Sequence, residues 1–330
     1  MHELTPETIT DAVLEQMAST SDPRLKEIMA SAVKHLHAFA RDVNLTPAEW
    51  LKGIEFMTAV GRTCTPERQE FILLSDTLGF SALVNGLHDR TAVEDATHTS
   101  LLGPFFRENA PKREAGAQIA NKVVPGTEVA LWGKITSVRG EPLPNAQVSV
   151  WQTGADGLYD IQVDASGTDY RGVFTTDAQG NFVIRTVRPI GYSIPMDGPV
   201  GALVQAQGRH GMRPAHIHFL VSAPGYRELV TALYIKGDAH IADDVVFGSS
   251  ADLVAELKQD DPACPLKGIP SMRFDLTLSR ESAIDQATGR VGADPAAIFK
   301  EKASHAASAN EAAHTAKPAK PGLFGALFGR

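Results

Sequence analysis

The chain has 330 residues, 43% of them hydrophobic, which is enough to bury a large core in one main domain with an accessory region. Its net charge is -8 at pH 7 and its lysines and arginines are scattered, which excludes the basic stripe expected of a nucleic-acid-binding protein. Cys64 and Cys264 are far apart and lack a CxxC spacing, which excludes a disulfide framework and a zinc ribbon.

The N-terminal part of the chain, residues 1–90, is predicted to be helical. Its apolar residues recur at the spacing of one helix face: Leu25, Ile28, Met29, Ala32, Val33 and Leu36. A further helix is expected to begin at Thr46-Pro47, where the threonine can cap free amides and Glu49 completes a capping box. The sequence contains neither a signal-peptide pattern nor a membrane-spanning apolar stretch, so we expect a cytoplasmic protein without membrane contact.

Residues 123–285 are predicted to form a mainly β domain, an antiparallel β-sandwich, after a linker at residues 91–122. The apolar period becomes twofold near Val123, with alternation in residues 129–135, 146–150 and 182–186. Turn residues such as Asp156-Gly157 separate these stretches at short intervals, which is typical of a sandwich. Residues 286–330 have too few apolar side chains to offset chain entropy, so a disordered tail is predicted.

Two histidines carry the sharpest chemical signal. His216 and His218 stand two residues apart in the apolar, strand-like run from Arg213 to Phe219. Side chains at positions i and i+2 of a strand point to the same face, so both imidazoles can reach one metal ion. An isolated pair of this kind is more often structural, with one histidine hydrogen-bonded in the core and the other solvated. The pair alone therefore leaves the question of a metal site open.

Two of the five tyrosines lie in turn-rich segments. Tyr159 follows Gly157-Leu158, shortly after a strand that contains Trp151. Tyr192 lies in the segment Gly191–Pro199, whose prolines and glycines give a rigid backbone that can present a phenol in a defined direction. Taken singly, each is better explained as an ordinary half-buried tyrosine with a locally bonded hydroxyl.

Taken together, these features resemble the intradiol ring-cleavage dioxygenases. The resemblance extends from the helical region to about Leu257 and rests on segments that occur in order at compatible spacings: Leu102–Phe105, Gly157–Asp160, Asp169–Gly172, Gly191–Pro195, Gly208–His210 and Arg213–His218. It implies a non-haem iron(III) enzyme that opens a small aromatic diol of the catechol type with O2. Because the N-terminal helices of this family form its dimer contact, it also implies a homodimer.

The resemblance assigns roles to individual residues. Carried over position by position, the four iron ligands fall on Tyr159, Tyr192, His216 and His218. Phenolate is a hard anionic donor that stabilises iron(III), and two neutral imidazoles leave positive charge for a substrate dianion. Tyr192 is expected to leave the iron when the diol binds and to accept its proton, and Arg213 to bind the substrate and stabilise negative charge on its ring. The pocket wall, to which the linker contributes, falls on Leu101, Pro104, Phe105, Ile194, Pro195 and Val246.

Three segments bear on the substrate. Tyr192–Pro195, Gln69–Gly79 and Asp244–Gly248 look most like those of hydroxyquinol 1,2-dioxygenases, which implies cleavage of hydroxyquinol (benzene-1,2,4-triol) to maleylacetate. Catechol or a chlorocatechol, cleaved to cis,cis-muconates, is the alternative. Ala232 departs from the family pattern, which often has a polar residue there, commonly glutamine in catechol enzymes. This departure removes one possible hydrogen bond near the substrate ring.

Two functions of other classes fit parts of the sequence. The stretch Gly133–Val148 also looks like a prealbumin-like or immunoglobulin-like binding module, but such a module does not need two tyrosines and two histidines that converge. A zinc hydrolase built on His216 and His218 predicts bound zinc and no O2 uptake, although zinc prefers thiolate, imidazole and carboxylate ligands. Asp76 and His210 are predicted to be structural or solvated residues.

Overall fold

A computed structural model describes residues 4–65, 68–89, 95–120, 126–164 and 167–281. The predicted tail, residues 286–330, and parts of the predicted linker lie outside the described residues. The chain divides into two compact units between Arg62 and Thr63. No helix within the described residues has the length and apolar character required to cross a membrane.

The first unit is helical, and its helices begin at capping residues. It contains α1 (Ile9–Gln16), α2 (Pro23–Asp42) and nearly all of α3 (Pro47–Thr63). α2 follows Asp22, whose carboxylate accepts the amides of Arg24 and Leu25. α3 begins at the predicted capping box, in which Thr46 Oγ1 accepts the amide of Glu49 and Glu49 Oε2 accepts the amide of Thr46. The prediction of a helical N-terminal region is confirmed.

The second unit begins with two helices and continues mainly with strands. Its elements, in chain order, are α4 (Glu70–Thr77), α5 (Phe80–Asp89), β1 (Glu128–Ser137), β2 (Gln147–Gln152), α6 (Asp160–Val163), β3 (Arg171–Thr175), β4 (Asn181–Val187), β5 (Tyr192–Ser193), α7 (Pro199–Ala206), β6 (Met212–Arg213), β7 (His216–Ser222), β8 (Leu229–Ile235), β9 (Val254–Ala255), β10 (Ser271–Arg273) and β11 (Leu276–Leu278). Apolar residues that alternate along β1 and β4 put one face of each strand into the core.

These strands form two main sheets and one short pair, β5–β6. In the first sheet β4 is antiparallel to β1, whereas β10 and β11 run parallel to successive parts of β1. The second sheet has the order β3-β2-β7-β8-β9 and is antiparallel except for the pair β8–β9. The prediction of purely antiparallel sheets is therefore wrong for these three parallel pairs. An alternating apolar pattern marks a strand but not the direction of its neighbour, which depends on how the connecting chain returns.

Both main sheets contribute to one hydrophobic core, which confirms the sandwich prediction in part. The rings of Phe182 on β4 and Phe219 on β7 have centroids 6.1 Å apart, and Phe274 lies 5.3 Å from Phe219. Ile217, Phe219 and Val221 of β7 belong to this core. Because side chains alternate along a strand, His216 and His218 lie on the opposite face of β7. The fold thus buries both histidines on one side of a central strand.

Candidate active site

His216 and His218 present their ring nitrogens to one point on that face of β7. Their Nε2 atoms are 3.1 Å apart, and both side chains are buried. His216 Nδ1 donates to the carbonyl oxygen of Pro214 at 2.7 Å, which leaves a lone pair on its Nε2 in the neutral ring. Burial, and then the charge of Arg213, lower the pKa of both imidazoles well below 6.5. Both rings are therefore neutral at physiological pH.

Tyr159 brings a buried phenol to the histidine pair. Its hydroxyl lies 3.4 Å from His216 Nε2, and its ring stacks on Phe105 with centroids 4.4 Å apart. It follows a turn in which Gly157 has a φ of 80°, a left-handed conformation that glycine adopts without steric cost. Burial, and then the neighbouring Tyr192, raise the pKa of Tyr159 well above 10. The phenol therefore stays protonated at neutral pH unless a cation binds its oxygen.

Tyr192 reaches the same point from the β5–β6 pair. In this pair it lies opposite Arg213, whose Nη1 donates to the Tyr192 hydroxyl at 3.4 Å and lies 3.2 Å from His216 Nε2. The half-buried Tyr192 ring meets Tyr159 edge-on, with 5.7 Å between centroids. The structure thus brings together the four predicted ligands, Tyr159, Tyr192, His216 and His218.

Arg213 is buried beside these four side chains and is held by an acid. Its Nε lies 3.2 Å from Asp244 Oδ1, and its Nη2 lies 3.4 Å from Asp244 Oδ2. Nη2 also lies 3.5 Å from the Tyr234 hydroxyl. Although burial alone opposes its charge, Tyr192 and Asp244 keep the pKa of Arg213 raised. Arg213 therefore supplies a permanent positive charge to the site.

A cavity of about 430 Å³ opens at these residues, a volume that suits a small ligand. Tyr192 and Arg213 both line it. So do all six residues that were predicted for the pocket wall: Leu101, Pro104, Phe105, Ile194, Pro195 and Val246. Tyr159 and the two histidines lie behind this wall, so Tyr192 is the member of the group of four that faces the cavity.

The wall also contains residues that the sequence analysis did not assign to it, although some of them lie in segments that it named. They are Arg68, Gln69, Glu70, Leu73, Asp76, Gly103, Ile161, Gln162, Ser193 and Asp197. Leu73 and Asp76 of α4, with Gln69 just before the helix, follow the spacing of one helix face. Asp76 was assigned a structural or solvated role, but the structure places it in the cavity wall, where burial raises its pKa. An acid within an apolar helical stretch is the signal that marks it in the sequence.

A buried ion pair fixes the segment that carries Tyr159. Asp160, the first residue of α6, accepts hydrogen bonds from Arg171 at the start of β3, including one of 2.5 Å from Arg171 Nε. Arg171 Nη1 also donates to the backbone carbonyl of Phe105 at 3.2 Å. Arg171 therefore joins the backbone of Phe105 to the residue that follows Tyr159. The rings of Phe105 and Tyr159 stack on each other.

The group of four side chains has the donor atoms of a metal site. The contact to Pro214 leaves the lone pair of His216 on Nε2, and this atom lies 3.1 Å from His218 Nε2, so the two ring nitrogens face one place. The Tyr159 hydroxyl at 3.4 Å from His216 is beyond the usual length of such a hydrogen bond. Phenol oxygens and imidazole nitrogens suit iron, and the group lacks the thiolates of structural zinc sites. The residues present fit iron(III).

Comparison with known proteins identifies the family of the chain. A family model described as "Dioxygenase" matches residues 101–280, and one described as "Catechol dioxygenase N terminus" matches residues 22–96. The chain is 42% identical over 281 residues to 6-chlorohydroxyquinol 1,2-dioxygenase of Cupriavidus pinatubonensis, covering 84% of this chain and 99% of the relative. It is 39% identical to hydroxyquinol 1,2-dioxygenase of Nocardioides simplex, covering 82% and 94%.

A solved structure agrees with these sequence matches. Hydroxyquinol 1,2-dioxygenase from Pseudomonas putida DLL-E4 is similar to this chain with a TM-score of 0.78 and 40% identity, covering 84% of this chain and 99% of that structure. The chain belongs to the intradiol ring-cleavage dioxygenases, as the sequence motifs predicted. It is accordingly an oxidoreductase that opens an aromatic diol with O2 between the two hydroxylated carbons.

Proposed function

We propose that this dioxygenase cleaves hydroxyquinol to maleylacetate at a non-haem iron(III) ion, one per chain, held by Tyr159, Tyr192, His216 and His218. The observation that carries the proposal is the convergence of two phenols and two neutral imidazoles beside a cavity of about 430 Å³. Iron(III) bound there supplies a Lewis acid that binds the diol and draws electron density from its ring.

The surroundings of the two tyrosines suggest different roles for them. Tyr159 is fully buried and stacked on Phe105, so it is suited to remain a ligand throughout the reaction. Tyr192 is half-buried, lines the cavity and accepts a hydrogen bond from Arg213. It is therefore the tyrosine that an incoming diol can displace, and its released oxygen can take the diol proton. Arg213 lies beside it as the positive group that stabilises negative charge on the substrate ring.

Ligand variants test the iron site. Tyr159→Phe and His218→Gln each remove one donor atom. We expect each to weaken iron binding by more than about 100-fold, because loss of a residue that only hydrogen-bonds to a metal ligand already costs up to about that factor. Elemental analysis and the visible tyrosinate-to-iron(III) absorption measure the loss. Tyr234→Phe is the matched control. The buried Tyr234 ring lies 5.6 Å from the His216 ring between centroids, but its hydroxyl bonds to Ser100, so the substitution should leave iron content and colour unchanged.

Other results of this experiment would support the rival functions. Stoichiometric zinc, a colourless protein and no O2 uptake would indicate a hydrolytic site on the two histidines. A chain that carries no metal would indicate a binding module. Unchanged iron content in both Tyr159→Phe and His218→Gln would remove these two side chains from the proposed ligand set.

The choice of hydroxyquinol rests on the relatives and on one acid in the cavity. Several curated relatives at about 40% identity are named as hydroxyquinol enzymes, whereas a catechol 1,2-dioxygenase of Candida albicans is 35% identical. Asp76 lines the cavity with a buried carboxyl group, which can accept a hydrogen bond from the third hydroxyl of the triol. Catechol lacks this hydroxyl, and a chlorocatechol carries chlorine in place of a donor. Either of these diols remains the alternative substrate.

Oxygen uptake with hydroxyquinol and catechol, measured side by side, tests the substrate. We expect a higher kcat/KM for hydroxyquinol, and we expect Asp76→Asn to reduce this preference by roughly tenfold, the value of one hydrogen bond to a charged group. Asp197→Asn is the matched control, because Asp197 also lines the cavity but is exposed and paired with Arg68. Faster cleavage of catechol by the unmodified enzyme would contradict the choice of hydroxyquinol.

We also propose a cytoplasmic homodimer in which residues 1–90 make the dimer contact, residues 91–122 link and help to form the pocket, and residues 123–285 form the catalytic domain. Cys64 and Cys264 are not joined in a disulfide, which suits a reducing compartment. Exposed apolar side chains on α2 and α3 suit a contact between two copies: Leu25, Ile28, Met29, Leu36, Phe39, Trp50, Leu51, Ile54 and Met57.

A further inference from the structure

A second group of polar side chains lies on the surface of the β-rich unit. Asp243 Oδ2 is 2.9 Å from His210 Nε2, and Asp243 Oδ1 is 3.1 Å from His240 Nδ1. The two imidazole rings are 4.8 Å apart. We refer to these three residues as the His210–Asp243–His240 cluster. Their ligand atoms all lie within 4.8 Å of one another, close enough for one metal ion.

The backbone beside His210 favours a hydrogen-bonded cluster over a metal site. The amide of Met212 donates to His210 Nδ1 at 3.1 Å, so in the neutral ring the hydrogen is on Nε2 and points to Asp243. A metal ion on Nε2 requires the other tautomer, with a hydrogen on Nδ1 facing the Met212 amide. Both histidines therefore donate to the same carboxylate, and the cluster holds Asp243 in place from two sides.

Asp243 immediately precedes the acid that holds Arg213. The Asp244 carboxylate accepts hydrogen bonds from Nε and Nη2 of Arg213. It also accepts hydrogen bonds from the backbone amides of Val246 at 3.3 Å and Gly248 at 3.1 Å. The loop thus folds around the Asp244 carboxylate. Val246 of the same loop lines the cavity. The position of Asp243 is therefore coupled through one peptide unit to two features of the active site.

Arg209, just before β6, and Met212, the first residue of β6, hold this loop at further points. Arg209 Nη2 donates to the carbonyl of Val245 at 2.8 Å, and the Val245 amide donates to Met212 at 3.2 Å. Arg209 also lies over the ring of Phe247, 5.1 Å from its centroid. Phe247 has a φ of 58°, a conformation that costs free energy in a bulky residue and persists only where the surroundings enforce it. The contacts around the loop thus hold it in a backbone geometry that is unfavourable for the isolated segment.

We infer that Asp243, held by His210 and His240, is a positioning residue that acts through Asp244 on Arg213 in the ring-cleavage reaction. This inference rests on the proposed role of Arg213. Exposed ion pairs contribute little to the free energy of unfolding, so we expect the cluster to add little to the stability of the fold. A small displacement of a charged group at a reacting centre, in contrast, costs up to about 100-fold in rate. The effect of the cluster is therefore on turnover and not on folding.

The test uses the full-length, iron-loaded enzyme with Asp243→Asn, which keeps the side-chain shape but removes the negative charge shared by both histidines. We expect kcat for the diol to fall about tenfold while iron content, visible absorption and Tm stay unchanged. The matched control is Asp252→Asn, because Asp252 is similarly exposed and pairs with one histidine, His98, at 3.1 Å. The control should retain full activity. Equal activity of Asp243→Asn and the unmodified enzyme would overturn the inference.

A double-mutant cycle separates this inference from the proposed role of Arg213. If Asp243 acts through Arg213, Asp243→Asn should have no further effect on kcat in an enzyme that already carries Arg213→Lys. Additive losses would overturn the coupling. Arg213→Lys with unchanged activity would instead contradict the role of Arg213 itself. His210→Gln should recover part of the activity lost in His210→Ala, because an amide can still donate to Asp243.

Discussion

Two tyrosines with the same side chain have different chemistry in this enzyme because their surroundings differ. Burial keeps the phenol of Tyr159 protonated until a cation replaces the proton, and Phe105 fixes its ring. Tyr192 has a half-buried ring and faces both Arg213 and the cavity. Burial, Arg213 and the cavity thus distinguish the tyrosine that we propose to stay on the iron from the tyrosine that we propose to leave it.

At the residue scale, Arg213→Lys tests whether the shape of the guanidinium matters beyond its charge. Lysine keeps one positive charge but cannot bind Asp244 at two points while it also reaches Tyr192. We expect kcat/KM for the diol to fall by about 100-fold or more, with iron content unchanged. Oxygen uptake measures the first quantity and elemental analysis the second.

The control for this substitution is Arg185→Lys, because Arg185 is only half-buried and pairs loosely with Glu128 at 3.8 Å. It should retain the activity of the unmodified enzyme. An Arg213→Lys enzyme as active as this control would show that charge alone suffices at position 213.

At the element scale, β3 and α6 are joined by the pair Arg171–Asp160, in which both side chains are buried. Removing one partner leaves an uncompensated charge in the interior, so we expect Arg171→Met to lower the free energy of unfolding by about 3–5 kcal/mol. Urea unfolding measures this loss. Arg171→Met combined with Asp160→Asn should recover part of it, because the buried charge is then gone.

Arg185→Met is the matched control for this element, since its long, half-exposed ion pair contributes about 0–1 kcal/mol. A loss in Arg171→Met no larger than in this control would show that the ion pair does not hold β3 to α6. Iron content should fall together with stability in Arg171→Met, because Tyr159 directly precedes Asp160.

At the scale of the whole molecule, the predicted dimer contact can be separated from the catalytic part. The first compact unit ends at Arg62, and α4, which follows, lines the cavity through Leu73 and Asp76. A chain that starts at Thr63 therefore retains the cavity wall. We expect the full-length protein to elute from gel filtration as a dimer and the shortened chain as a monomer.

A substitution on α2 provides a check that leaves the chain length unchanged. Ile28→Glu puts a charge on the exposed apolar face, and we expect it to shift the full-length protein toward monomer. Lys34→Glu on the same helix changes a charge at a polar position and is the control. A shortened chain that still elutes as a dimer would place the contact outside residues 1–62.

Local patterns in the sequence were sufficient for much of the architecture. The capping box of Thr46 and Glu49 and the twofold period of β1 depend on residues a few positions apart, so both could be predicted. The common face of His216 and His218 follows from strand geometry in the same way. The two tyrosines that we propose as ligands were selected by motif resemblance and not by any local rule, because a lone tyrosine in a turn has many other roles.

Other features depend on contacts between residues far apart in the chain. The parallel pairing of β10 and β11 with β1, the meeting of Tyr192 with Arg213 across β5–β6, and the place of Asp76 in the cavity wall are of this kind. Apolar periodicity predicts which face of each segment is buried, but it does not predict which distant segment packs against that face. The sequence thus indicated the chemical groups and the local elements, whereas the packing of remote segments set strand direction, burial and the neighbours that shift each pKa.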